Sequence, residues 1–280
     1  MKNVCSQVGL RAALAALGVV VLVMAGCSDD DNGVNNDGAQ GRIVLLMHDA
    51  PVDDFKEVWL TVGSVTMIGA DTDSGSSGEI VLSESIRMDF LALDSTAQIL
   101  AAANIGTGTY SKIRLQVSNP EFVRDDDSVF SGDDIHLVAN GHVDINTQGD
   151  VLIVGNEVTV VSLDLDLDNS IQINQTGNGR YILRPQIFVD NDMEGEEGII
   201  IDGAVITSVN LDTRIVTIET SGTESNASLT VETNTQTEIL AISGLPIELA
   251  ALLVGSAIDI VGTIDVETGV VTASRIRITP

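Results

Sequence analysis

The sequence predicts an all-β protein: an N-terminal β-sandwich over residues 42–190, then a small β-barrel with one short helix over 199–280. Three observations predict it. Apolar residues make up 44% of the chain, enough to fill real cores. They recur at period two in short runs rich in β-branched residues, with polar turns between them. No long amphipathic helical stretch interrupts that pattern.

The order of elements begins with a leader. Lys2 and Arg11 are the only charges before residue 29, and residues 12–26 are apolar or small. That is the pattern of a cleaved secretory signal over residues 1–26. As a helix the fifteen-residue run spans about 22 Å, short of a ~30 Å hydrocarbon core. It ends in Met24-Ala25-Gly26-Cys27. This resembles the bacterial lipobox, although Met24 stands where leucine is usual. The resemblance implies that Cys27 carries the lipid, becomes the first mature residue and holds the protein to a membrane. With Ser28 next, it implies the outer membrane of a Gram-negative cell envelope. Residues 27–41 are rich in Asp, Asn and Gly and read as a flexible acidic tether.

Strands follow. Ile43 to Met47 is a continuous apolar run that stops at the turn-rich His48-Asp49-Ala50-Pro51-Val52-Asp53-Asp54. Val58, Leu60 and Val62 alternate with Trp59 and Thr61, and Val65 to Ile68 continues the strand. Residues 70–78 form a polar loop. Ile80-Val81-Leu82 and Arg87 to Leu91 are short strands, and Gln98 to Ala103 reads as a helical turn. From Tyr110 to Val117 the chain alternates, with Tyr110, Lys112, Arg114 and Gln116 on the outer face and Ile113, Leu115 and Val117 on the other. Residues 158–168 show the strongest alternation: Leu163, Leu165 and Leu167 on one face, Asp164, Asp166 and Asp168 on the other. Ile171 to Ile173 and Tyr181 to Val189 complete a set of short strands that suits a sandwich.

Residues 191–198 are acidic and glycine-bearing and read as a hinge. Beyond it, strands are expected at 199–209 (broken near Asp202-Gly203), 214–218, 228–231, 257–264 and 270–278. A short helix is expected at 247–254, opened by Pro246 and stopped by Gly255. Five or six strands in so short a span suggest a closed barrel.

The first block resembles a family of bacterial lipoprotein domains known only as domain of unknown function 4382. The matching residues are His48 to Asp54, Met88-Asp89-Phe90-Leu91-Ala92-Leu93, Gly108 to Leu115, Leu165 to Ile171 and Tyr181-Ile182-Leu183-Arg184-Pro185. The resemblance implies a β-sandwich on a surface lipoprotein and no activity. The second block resembles domain of unknown function 5666, through residues 254–263 and 269–278. That resemblance implies an OB-like barrel and transfers no binding residues.

Charge excludes one class of partner. The net charge is −28, or −30 once the leader takes Lys2 and Arg11 away. Such a field repels nucleic acid. Residues 199–280 contain no Phe, Tyr or Trp and only Arg214, Arg275 and Arg277 as basic residues. Barrels that hold single strands need stacking aromatics and basic grooves. No nucleic-acid partner is expected.

Chemistry has few anchors. Both cysteines, Cys5 and Cys27, are taken by the leader and the lipid, so the mature chain has no disulfide and no cysteine metal site. His136 and His142 are spaced poorly for a shared site, and His48 stands alone. The nucleophile and phosphate-loop motifs are absent. The chain is expected to be no enzyme and to act by binding or assembly in the cell envelope, on an unidentified envelope protein. The alternative is an adhesion module that binds calcium or a surface glycan. Asp164, Asp166 and Asp168 are its candidate calcium ligands, and a loop must complete them, because calcium takes 6–8 oxygens. Asp71 and Asp73, and Asp125 to Asp127, are looser candidates. Trp59 points away from Val58, Leu60 and Val62 and is the candidate sugar-stacking ring. A carboxylate-based hydrolase is the third reading.

Overall fold

The computed structural model describes residues 39–49, 52, 54–69, 79–80, 85–93, 95–173, 180–190, 193–220 and 227–280. Cys27, the tether to residue 38, the loop with Asp71 and Asp73, and Asn191-Asp192 lie outside the described residues. The strands run in chain order as β1 (Gln40–Asp49), β2 (Glu57–Gly69), β3 (Glu79–Ile80), β4 (Ile86–Asp89), β5 (Ala97–Gly106) and β6 (Gly108–Val123). Next come β7 (Val129–Ser131), β8 (Ile135–Leu137), β9 (His142–Ile153), β10 (Val158–Leu165), helix α1 (Leu167–Ser170), β11 (Ile171–Ile173), β12 (Tyr181–Leu183) and β13 (Ile187–Asp190). The last are β14 (Glu196–Asn210), β15 (Ile215–Glu219), β16 (Ser228–Glu232), β17 (Glu238–Leu240), β18 (Ala257–Asp265) and β19 (Val271–Ile278). The protein is all-β, and among the described residues no helix is long and apolar enough to cross a membrane.

Two sheets face each other in the first block. One has the order β13-β10-β1-β5; the other is built on β2 and β6, with β3, β4, β7 and β9 at their flanks. Ile43, Leu45 and Met47 of β1 pack against Val58, Leu60 and Val62 of β2 and Ile113 and Leu115 of β6. The same strand is buried on its other face, where Val44 and Leu46 join a second core. A strand covered on both sides reads as an unbroken apolar run, which is what residues 43–47 are.

That second core belongs equally to the barrel. β14, β15, β16, β19 and β18 pair in that order, and β18 pairs back onto β14 to close a five-stranded barrel. Ile201, Ile218, Leu229, Ile260 and Ile276 fill its interior and continue into Val44, Leu46, Ala102 and Val160 of the sandwich sheet. The span 191–198 ends inside β14, whose Ile199 and Ile200 pair in parallel with Ala97 and Gln98 of β5. Asp37–Pro280 forms one compact unit.

Four local expectations are corrected. Gln98 to Ala103 is strand, not helical turn: Ala101, Ala102 and Ala103 are fully buried in β5. Small side chains fit a strand packed on both faces, and tertiary burial overrides alanine's helical propensity. The helix expected at 247–254 is only a 3-10 turn at Leu249–Ala251. Pairing resumes at once beyond it, with Gly255 N–H donating to the Ile206 carbonyl at 2.8 Å. Tyr110 leaves the outer face of its strand and is buried, because a register shift falls between Tyr110 and Lys112. The Asp164/Asp166/Asp168 row does not form, for reasons given below.

Candidate functional site

β10 stops at Leu165. Asp166 caps the short helix α1, accepting from Asn169 N–H at 3.0 Å and from Asn169 Nδ2 at 2.7 Å. An Asp that bonds its own neighbouring backbone competes with strand continuation. Asp164 stays on the strand beside His48 and Phe188, Asp166 is committed to the cap, and Asp168 is exposed on the helix. Three carboxylates that alternation placed on one face therefore diverge. Among the described residues no group of three His, Cys, Asp or Glu side chains is arranged to hold a metal.

Trp59 lies on the outer face of its sheet, opposite the buried Val58 and Leu60, and is half-buried. Its Nε1 donates to Glu57 Oε2 at 2.8 Å. The Arg87 guanidinium lies 5.3 Å from the ring centroid and pairs with Glu121 at 3.1 Å. One face of the ring is thus occupied by a cation–π contact. His136 and His142 are exposed on β8 and at the start of β9, whereas His48 is half-buried.

The structure gathers other residues instead. β1 and β10 run in parallel, so the segments after Asp49 and after Leu165 emerge at the same end. Glu57 pairs with Val123, which brings the start of β2 and the end of β6 there too. Val52, Asp54, Phe55, Arg124, Asp168 and Tyr181 line a cavity of about 60 Å³ at this rim. Its floor is a set of packed rings. Phe55, Phe122 and Tyr181 lie 5.2–5.6 Å apart between centroids, and Phe130 meets Tyr181 edge-on at 4.9 Å. Offset and edge-on packing of this kind fixes ring positions.

The turn beside the cavity is held by charge. Lys56 reaches across to Asp127, whose carboxylate raises the lysine above its ordinary range. Asp126 is lowered by the Ser128 hydroxyl and backbone N–H. Two carboxylates and one guanidinium at the rim can seat one polar group of a larger ligand: a hydroxyl, an amine or a carboxylate. Sequence reasoning found Asp168 but not its company. Asp54, Arg124 and Tyr181 are far apart in the chain, and only strand pairing between distant segments, including that of β12 with β8 and β11, brings them to one cavity.

The rim lies at the far end of β1 from Gln40, the first residue of that strand. Ten residues at ~3.3 Å each put about 30 Å between them.

No curated protein and no solved structure matches the chain. A family model described as a domain of unknown function matches residues 40–185. That span covers just over half of the chain and includes every cavity residue named above. The chain belongs to this family, DUF4382.

Proposed function

We propose that the protein is a lipid-anchored lipoprotein of the cell envelope that acts by binding or assembly rather than by catalysis. The leader, the Met24-Ala25-Gly26-Cys27 sequence and Ser28 support the anchor and its outer-membrane destination. The likeness of residues 254–263 and 269–278 to domain of unknown function 5666 supports reading the barrel as a second module of such a lipoprotein. The observation that carries the binding function is the rim itself: two carboxylates, a guanidinium and an aromatic floor meet in one cavity at the end of β1 far from Gln40.

Site-specific photocrosslinking in intact cells tests this. A crosslinking residue at exposed Asp168 captures an envelope component. The same residue at Asn156, which is exposed beside Gln40 at the opposite end, does not. Equal capture from both positions, or none from Asp168, contradicts the reading.

One observation favours calcium as a rim ligand: Asp54 and Asp168 share the cavity. A ligand at 100 times its Kd adds ~2.7 kcal/mol of stability. A calcium-specific rise in Tm, absent with magnesium at equal ionic strength, supports that reading, and no rise removes it.

A further inference from the structure

The barrel carries its own concave site, on the outer face of β14, β18 and β19. It has a volume of about 490 Å³, within the ~300–1,000 Å³ of small-molecule sites. Its two walls bear opposite charge. The register of β18 and β19 sets Asp259 beside Arg277 and Val261 beside Arg275. β17 adds Leu240 beside Arg277, and Asp202 projects from the break in β14 pairing between Ile201 and Ala204.

The acidic wall is not neutralised by the basic one. Asp259 Oδ1 accepts from the Gly203 N–H on β14 at 3.0 Å, and it forms no ion pair with its cross-strand neighbour Arg277 among the described residues. Asp202 accepts from Gln98 Nε2 at 3.1 Å. Its carboxyl is pushed up, first by burial and then by the charge of Asp259. Arg275 and Arg277 are exposed, two residues apart on one face of β19, and make no ion pair among the described residues. Arg214, the other arginine of the barrel, is engaged elsewhere, donating to the Thr233 and Asn234 carbonyls at 3.4 and 2.6 Å.

We propose that this groove binds a small zwitterion of the α-amino-acid type, with its ammonium on Asp202 and Asp259 and its carboxylate on Arg275 and Arg277. Neighbouring strands lie ~4.8 Å apart, so Asp259 on β18 stands one strand from Arg277, and Asp202 on β14 stands two strands away. The shorter separation suits a ligand whose ammonium and carboxylate share one carbon atom. Guanidinium forks donate in pairs to a planar carboxylate. Leu240 and Val261 supply an apolar patch for an aliphatic side chain. The site is separate from the sandwich rim and does not rest on the function proposed for it.

The test is calorimetric titration of the intact chain, purified in detergent, with L-leucine. Two half-ligands are titrated alongside: 4-methylpentanoate, which lacks the ammonium, and isoamylamine, which lacks the carboxylate. L-leucine binds, and each half-ligand binds at least about tenfold more weakly. The double variants Arg275→Ala/Arg277→Ala and Asp202→Asn/Asp259→Asn, shown to be folded by an unchanged melt, each weaken L-leucine by a similar factor. No binding of L-leucine at millimolar concentration overturns the proposal. So does binding of 4-methylpentanoate as tight as that of L-leucine, or binding that survives either double variant. The half-ligand comparison uses the unaltered chain and stands even where a variant fails to fold.

Discussion

Arg114 on β6 and Asp144 on β9 face each other in register and form a two-point ion pair, Nε to Oδ1 at 2.6 Å and Nη2 to Oδ2 at 2.9 Å. Arg114 holds the Asp144 carboxyl at about 2, against an ordinary 3.8, and Lys112 contributes from 3.5 Å. A depressed carboxylate stabilises the fold above its unfolded value, and that contribution is lost as pH falls from 3.8 through about 2. Both side chains are 40% exposed or more, so solvent screens the pair and leaves it a small contribution. Asp144→Asn is expected to lower the urea midpoint by that small amount at pH 7. At the acid end of the window, the difference from the parent disappears.

Asp89 behaves in the opposite sense. Its Oδ1 accepts from Val58 N–H at 2.9 Å and Leu91 N–H at 3.2 Å, tying β2 to the turn after β4. Burial pushes its pKa up despite those two bonds. A raised carboxylate favours the fold most below its unfolded value of 3.8, and the advantage shrinks as pH rises through the folded value. Asp89→Asn keeps an acceptor and is expected to be nearly neutral at pH 7. Asp89→Ala strands two backbone donors and is expected to cost ~1–3 kcal/mol, read from denaturant midpoints.

Because β1 serves both cores, the sandwich and the barrel are expected to unfold together. Leu45 faces the sandwich core and Leu46 the barrel side, and both are fully buried. Leu45→Ala and Leu46→Ala should each cost ~2–5 kcal/mol and lower one shared transition. Trp59 is the only tryptophan, so its fluorescence follows the sandwich while circular dichroism follows all strands. Coincident curves are expected; a barrel that melts separately contradicts the shared core.

Gly141 has a positive φ of +80°, and a Cβ there would lie 1.8 Å from the Val117 carbonyl oxygen. Gly141→Ala is expected to be among the most damaging single changes in the chain, at several kcal/mol, ~3 or more. The expected readout is loss of the folded dichroism signal at 37 °C. An alanine variant with the parental melt contradicts the register of β6 against β9.

These residues also show what the sequence could say. Period-two patterning located β2, β6, β15, β16, β18 and β19, and an unbroken apolar run located β1, because each packs one or both faces into a core. It went wrong where a local bond outweighed the period: at Asp166, where a side-chain cap ends the strand, and at Tyr110, where a register shift turns the ring inward. It also missed β9, whose Asp144, Asn146 and Gln148 alternate with few large apolar residues. The rim and the barrel groove were invisible for a different reason. Arg124 and Asp54 share a cavity, and Asp202 and Asp259 share a groove, only through strand pairing between distant segments. No one-dimensional spacing carries that information.

The most direct test of the account is intact-mass analysis of the protein recovered from the membranes of a Gram-negative host expressing the full chain. The predicted result is a mature chain that begins at Cys27 and carries fatty-acyl mass on that residue. Cys27→Ser should abolish both the lipid and the membrane recovery. A mature chain that starts elsewhere, or that leaves Cys27 unmodified in a soluble fraction, contradicts the anchored function.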